Sequence, residues 1–196
     1  MKKIIVLVSF VLVWVGCDVA KNLAGTYSLM QCQYKYNSIS NINLSGVSVK
    51  NVNSLTAADI LSLTGLIKAF SGSTIPLQFT LNLDVTNPNY QPAILNTLQY
   101  ILEIDNIEMT TGTVDSKMQI ATGQIAQLPV NIAFDLKKAM KNETLDAVKT
   151  MALNFVGLGD RATNVTIKLK PSLDIGGQQL VSPIYIPVTF SYGKTN

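Results

Sequence analysis

The chain has 196 residues, 47% hydrophobic and only 14% charged, which is enough for one ordinary domain or at most two small ones. Fifteen basic against twelve acidic residues give a formal net charge of +3, but Lys2 and Lys3 precede an apolar leader. Without residues 1–17 the balance is 13 to 12, too even for the basic face that nucleic acid needs. Histidine is absent and there are two cysteines, which excludes Ser-His-Asp and Cys-His chemistry, His-containing zinc sites and a Cys-rich metal cluster.

The apolar run from Ile4 to Val15, broken by Ser9, is shorter than the roughly 20 residues that span a bilayer. It fits the core of an export signal, with Lys2 and Lys3 holding the start of the chain inside. Trp14 to Cys17 resembles the lipobox of bacterial lipoproteins, in which the cysteine becomes the first mature residue and carries the acyl chains. Gly16 fits that pattern, and Trp14 stands where a leucine is usual. The resemblance implies lipidation at Cys17, attachment to the inner or outer membrane through it, and a place in the cell envelope. Stable attachment takes more than one acyl chain, which a diacyl or triacyl cysteine supplies. Asp18 to Leu23 would then be a short tether. A cleaved secretory signal with an incidental cysteine, or an uncleaved anchor, is the alternative. With Cys17 acylated, Cys32 has no intramolecular disulfide partner and reads as a small buried apolar residue.

Further along, Val47 and Val49 suggest a strand, with Leu44 leading in. Ile60, Leu63, Ile67 and Phe70 share one helical stripe over Thr56 to Phe70, where Thr56 and Asp59 form a weak capping box. From Ile75 the apolar residues Ile75, Leu77, Phe79, Leu81, Leu83 and Val85 alternate strictly with polar ones, so one face is buried and one wet. Asn87-Pro88-Asn89 stops this strand, because Asn bonds its own backbone and Pro cannot donate. Leu98, Tyr100, Leu102 and Ile104 define the next strand. Asp105-Asn106 then turns into a return strand through Ile107 toward Val114 and Ile120. Leu128, Val130, Ile132, Phe134 and Leu136 alternate again. A helix is expected over Lys137 to Phe155, ended by Gly157 and Gly159. Val165, Ile167 and Leu169 precede Pro171, Gly176-Gly177 is a hairpin-type turn, and Ile184 to Tyr192 is the last strand. Alternating strands bury one face each, so the expected fold is mostly β, an antiparallel sandwich with two added helices that cover an edge or an open end.

The order LNLDVTNPNYQPAILNTLQYILEIDNIEMTTGTV, Leu81 to Val114, resembles the core of the LEA14-like (late embryogenesis abundant type 2) domain. The shared features are the alternating strand, Asn87-Pro88-Asn89, the Tyr100–Ile104 strand, Asp105-Asn106 and Gly112. The Leu128–Leu136 strand and the closing IYIPVTFSYG, Ile184 to Gly193, are similar too. The resemblance covers roughly residues 75 to 193 and looks most like a bacterial lipoprotein form of the Bacteroidetes type. It implies a fibronectin or immunoglobulin-like sandwich. The expected organisation is a lipoprotein signal over 1–17, then a tether, strand and helix region over 18–72 packing on the sandwich. The LEA14-like sandwich follows over 73–196, with an inserted helix at 137–156.

No catalytic, cofactor-binding or metal-ligating set is expected, and no Gly-rich phosphate loop is present. The expected function is therefore a non-enzymatic envelope lipoprotein serving as a binding or structural module. Its partners would be the membrane through acylated Cys17 and an envelope protein or glycan. Asn87, Pro88 and Asn89 set a turn and are also the candidate binding loop, since loops at the end of a sandwich commonly bind. Three alternatives stand beside this. An apolar-ligand or lipid carrier would use the Ile, Leu, Phe and Met side chains as a cavity lining. A carboxylate hydrolase would require Asp84, Asp105 or Asp115 to converge. An assembly subunit would pair through the Ile184–Tyr192 strand.

Overall fold

Strict alternation in the sequence becomes strict alternation in burial. In the computed structural model, which describes residues 29–49, 70–175 and 178–193, the strand Pro76–Thr86 buries Leu77, Phe79, Leu81, Leu83 and Val85 and leaves the residues between them open to water. Nine strands are described: β1 (Gln33–Leu44), β2 (Val47–Val49), β3 (Pro76–Thr86), β4 (Ala93–Ile104), β5 (Ile107–Ile120), β6 (Ile125–Asp135), β7 (Thr163–Ile175), β8 (Gln178–Val181) and β9 (Ile186–Tyr192). They form two antiparallel sheets. One has the order β2-β1-β3-β6; the other runs β5-β4-β7, with β9 and β8 end to end along the outer edge of β7.

The inner faces of the two sheets meet in one apolar cluster that draws on β1, β3 and β6 from one side and β4, β5, β7 and β9 from the other. This is the mostly-β arrangement of two antiparallel sheets that the patterning implies. The side chains considered as a carrier's lining are members of that contiguous cluster, which favours a filled core at interior density. One open side of the layers is bridged by Tyr36 of β1 stacked on Phe190 of β9, ring centroids 3.9 Å apart and 11° from parallel.

Two helices follow β6. Helix α1 (Leu136–Ala139) starts at Asp135, whose carboxylate accepts from the backbone N–H groups of Lys137 and Lys138. Helix α2 (Leu145–Phe155) starts at Thr144, whose hydroxyl oxygen accepts from Ala147 N. The single helix expected over 137–156 is therefore in two pieces. The physical cause is a second capping residue: Thr144 satisfies an N-terminal donor better than it fits a helix interior, and Met140 turns inward between the two helices. The end of α2 behaves as its glycine implies. Gly157 has φ +78°, its N–H donates to Asn154 O, and Leu158 N–H donates to Leu153 O, a Schellman closure. Phe155 lies between Phe79 of β3 and Tyr192 of β9, at 5.0 and 5.3 Å, so α2 seals the end of the sandwich where β3 begins.

Strand β1 differs from expectation. It comes from the region expected to pack on the sandwich, yet it lies inside the four-stranded sheet, paired with β3 from Gln33↔Thr86 to Leu44↔Leu77. Two bulges, between Tyr36 and Ser38 and between Ser40 and Asn43, break its alternation, which is why period two does not reveal it. Ile184 also differs: β9 starts at Ile186, and Ile184 is exposed. Ser182, buried, donates from its hydroxyl to Ile184 O and accepts from Ile184 N, holding the chain off the sheet there. The leader with Cys17, the helix expected over 56–70 apart from Phe70, and Gly176-Gly177 lie outside the described residues.

Candidate binding loop

The Asn-Pro-Asn turn joins β3 of one sheet to β4 of the other. Its first residue, Asn87, is fully buried. The Asn87 amide nitrogen donates to Gln91 O and Ile120 O, both at 2.9 Å, and its amide oxygen accepts from Asn89 N and Asn89 Nδ2 at 3.1 and 2.7 Å. Its backbone is committed as well: Asn87 N donates to Gln124 O, and Asn87 O accepts from Gly123 N. Asn87 thus clamps the β3–β4 crossover to the β5–β6 turn and has little bonding capacity left for a ligand.

What remains for a partner is the outer part of the loop. Pro88 is exposed, Asn89 is half-buried, and Tyr90 is 96% exposed. The sequence offered a signal for Tyr90, an aromatic residue between Pro88 and Pro92 with no apolar neighbour to alternate with. The β5–β6 turn beside it leads into Ile125, also exposed. Chain segment 29–32 lies at the same end, because Gln33 pairs with Thr86 and the Tyr34 hydroxyl donates to Leu29 O at 3.3 Å. Burial pushes the Tyr34 hydroxyl's pKa up, and the neighbouring Cys32 adds to this. Cys32 is buried, and burial pushes its thiol up to about 11, so it is held as the protonated thiol at neutral pH.

The three carboxylates considered for hydrolysis do not converge. Asp84 lies on the outer face of the first sheet, where Asn37 Nδ2 donates to both of its oxygens at 3.1 and 3.0 Å. Asp105 lies in the β4–β5 turn, accepting from Arg161 at 2.8 Å and from Asn164 N at 2.9 Å. Asp115 is exposed on β5, opposite Thr97. Groups on three separate surfaces cannot share one scissile bond, and the carboxylate-hydrolase reading falls with that placement. Among the described residues, no three His, Cys, Asp or Glu side chains gather where they could hold a metal. Nor is any helix among them long and apolar enough to cross a membrane.

Beside Asp84, the outer face of the first sheet carries a lattice of uncharged polar groups. Thr80 donates to Asn131 at 2.8 Å and accepts from Asn41 at 3.3 Å, while Asn82 donates to Ser38 and Ser40, both at 3.2 Å. These side chains satisfy one another across strands β1, β3 and β6, so solubility comes from amides and hydroxyls where charge is scarce.

No protein-family profile matches the chain, and no curated protein matches it. Solved structures give distant likenesses. A crystal structure of a protein from Archaeoglobus fulgidus is 13% identical with a TM-score of 0.37, covering 81% of this chain and 100% of that one. The solution structure of an Arabidopsis thaliana protein is 11% identical with a TM-score of 0.41, covering 82% and 83%. The solution structure of a candidate late embryogenesis abundant (LEA) protein is 13% identical with a TM-score of 0.37, covering 97% and 83%.

Proposed function

We propose that the chain is a non-enzymatic, LEA14-like binding or structural module of the cell envelope, attached to a membrane by acyl chains on Cys17 and offering the Asn87 end of its sandwich as the contact surface. The observation that carries the binding role is Tyr90, 96% exposed at the tip of a loop whose base, Asn87, is fully buried and bonded on every side. A rigid mount under an exposed aromatic is how scaffolds present binding loops. The anchoring role draws on the leader and on the lipobox-like Trp14 to Cys17. The finer fold assignment, a fibronectin or immunoglobulin-like sandwich, draws on strand order. β1, β3 and β6 in one sheet correspond to strands A, B and E of that architecture, and β4, β7 and β9 in the other to C, F and G.

The test is metabolic labelling with a fatty acid, comparing the full chain with Cys17→Ala. The expected result is loss of acyl label and release from the membrane fraction in the variant. Unchanged membrane retention of Cys17→Ala would overturn the anchor.

A further inference from the structure

The two ends of the sandwich differ in what they show to solvent. Seven large hydrophobic side chains among the described residues are exposed, and their positions are uneven. Tyr90 is on the Asn87 loop, and Ile125 pairs with Thr86 one residue before it. Leu180 and Val181 lie on β8, where Val181 pairs with Ser172, itself paired with Thr97 near the start of β4. Ile184 and Tyr185 lie farther along that edge, level with the middle of β4, since Ile186 pairs with Leu169 and Leu169 with Tyr100; the Lys170 ammonium is 5.2 Å from the Tyr185 ring centroid. Only Leu145 lies at the helical end, at the start of α2.

The chain reaches the sandwich at this same apolar end. Leu29 is bonded to Tyr34 near the start of β1, and Cys17 is twelve residues before Leu29. Twelve residues span at most about 40 Å when fully extended, which is about the length of the twelve-residue strand β4. A lipid on Cys17 therefore places the end at which the chain enters the sandwich within reach of the bilayer.

We propose that the Asn87–Tyr90 end docks onto the lipid surface that holds Cys17. The occupant is the headgroup and upper acyl region of a bilayer, which Tyr90 at the loop tip and Ile125 at the start of β6 meet first. Tyrosine suits that depth because its ring is apolar and its hydroxyl polar. The patch is small, but the tether makes docking intramolecular, so a weak apolar contact is populated at the high effective concentration the anchor provides. This inference rests on the anchoring proposed above and names the partner of its contact surface.

The test uses the full chain expressed with its leader, recovered from membranes and reconstituted into phosphatidylethanolamine and phosphatidylglycerol vesicles. Nitroxide labels are placed singly through Tyr90→Cys, Ile125→Cys and Leu145→Cys in a Cys32→Ala background. The labels at 90 and 125 are expected to lose accessibility to a water-soluble nickel chelate and gain collisions with oxygen, while the label at 145 stays fully accessible to the chelate. Protein that floats with the vesicles but shows all three labels equally open to the chelate overturns the docking and leaves the anchor standing. Labels at 90 and 125 shielded from both reagents mean that a protein surface covers the patch, which also overturns it. A chain that fails to float removes the anchor and the docking together.

Discussion

Asn87 was legible as a turn residue, because Asn before Pro punctuates an alternating strand. Its partner Ile120 O was not, since it lies 33 residues away and spacing carries no record of a clamp between two loops. That clamp has a measurable cost. Asn87→Ala leaves buried carbonyls without a donor and is expected to destabilise by about 2–4 kcal/mol in urea unfolding. Asn87→Asp, nearly isosteric, should be at least as damaging because its carboxylate faces the carbonyls of Gln91 and Ile120. Tyr90→Ala should shift stability by less than about 0.5 kcal/mol, since the side chain touches little but water. Gly112 is explained at the same scale. A Cβ there would run into the Tyr100 hydroxyl and ring, so the glycine lets that side chain lie across β5. Gly112→Ala is expected to cost about 1–3 kcal/mol, and adding Tyr100→Leu should recover part of the loss in the same unfolding assay.

At the scale of elements, legibility followed regularity. β3 and β6 alternate without interruption, as does β4 from Leu98 to Ile104, and could be read directly. The Asp105-Asn106 turn could be read as well, both residues being left-handed (φ 50° and 65°), as a two-residue hairpin requires. β1 could not, because each of its bulges moves the following side chains to the opposite face. The split between α1 and α2 was hidden for a different reason. Periodicity counts apolar positions and does not weigh a capping threonine against helix continuation. The second helix buries Val148, Met151, Ala152 and Phe155 in the core, and Phe155 is the largest of them. Phe155 is fully buried between Phe79 and Tyr192, and Phe155→Ala is expected to cost about 3–5 kcal/mol, read as a lower thermal midpoint.

For the whole molecule, the resolved proton equilibria all point the same way. Burial raises Cys32 from 9.0 to about 11 and raises Tyr34, Tyr36, Tyr100 and Tyr192 above their ordinary value. Tyr192 is also raised by Tyr36, while a backbone hydrogen bond at Ile39 partly offsets the rise at Tyr36. Above about pH 9 the unfolded chain releases these protons while the folded one keeps them, so the folded state binds more protons and stability falls as pH rises. Melting temperatures should be flat from neutral pH to about pH 9 and then decline through about pH 11, and Cys32→Ala should soften the first part of that decline. Association is discouraged along one edge of each sheet. The outer strands β6 and β9 carry Pro129 and Pro187, residues that blunt an edge against further pairing. This weakens the case for the last strand as an assembly surface, and sedimentation over a concentration series should show a single species.

The strand order also sets a schedule. β4 borders β5, its immediate successor, but its other neighbour, β7, is supplied only about seventy residues later, Thr97 meeting Ser172. Until β7 and β9 have emerged, the greasy face of Leu77, Phe79, Leu81 and Leu83 has only part of its covering layer. The sandwich therefore forms late and nearly all at once, slowly for its size because its contacts are distant in sequence. A chain shortened after α2 should be captured by chaperones or proteases rather than persist as a partial fold.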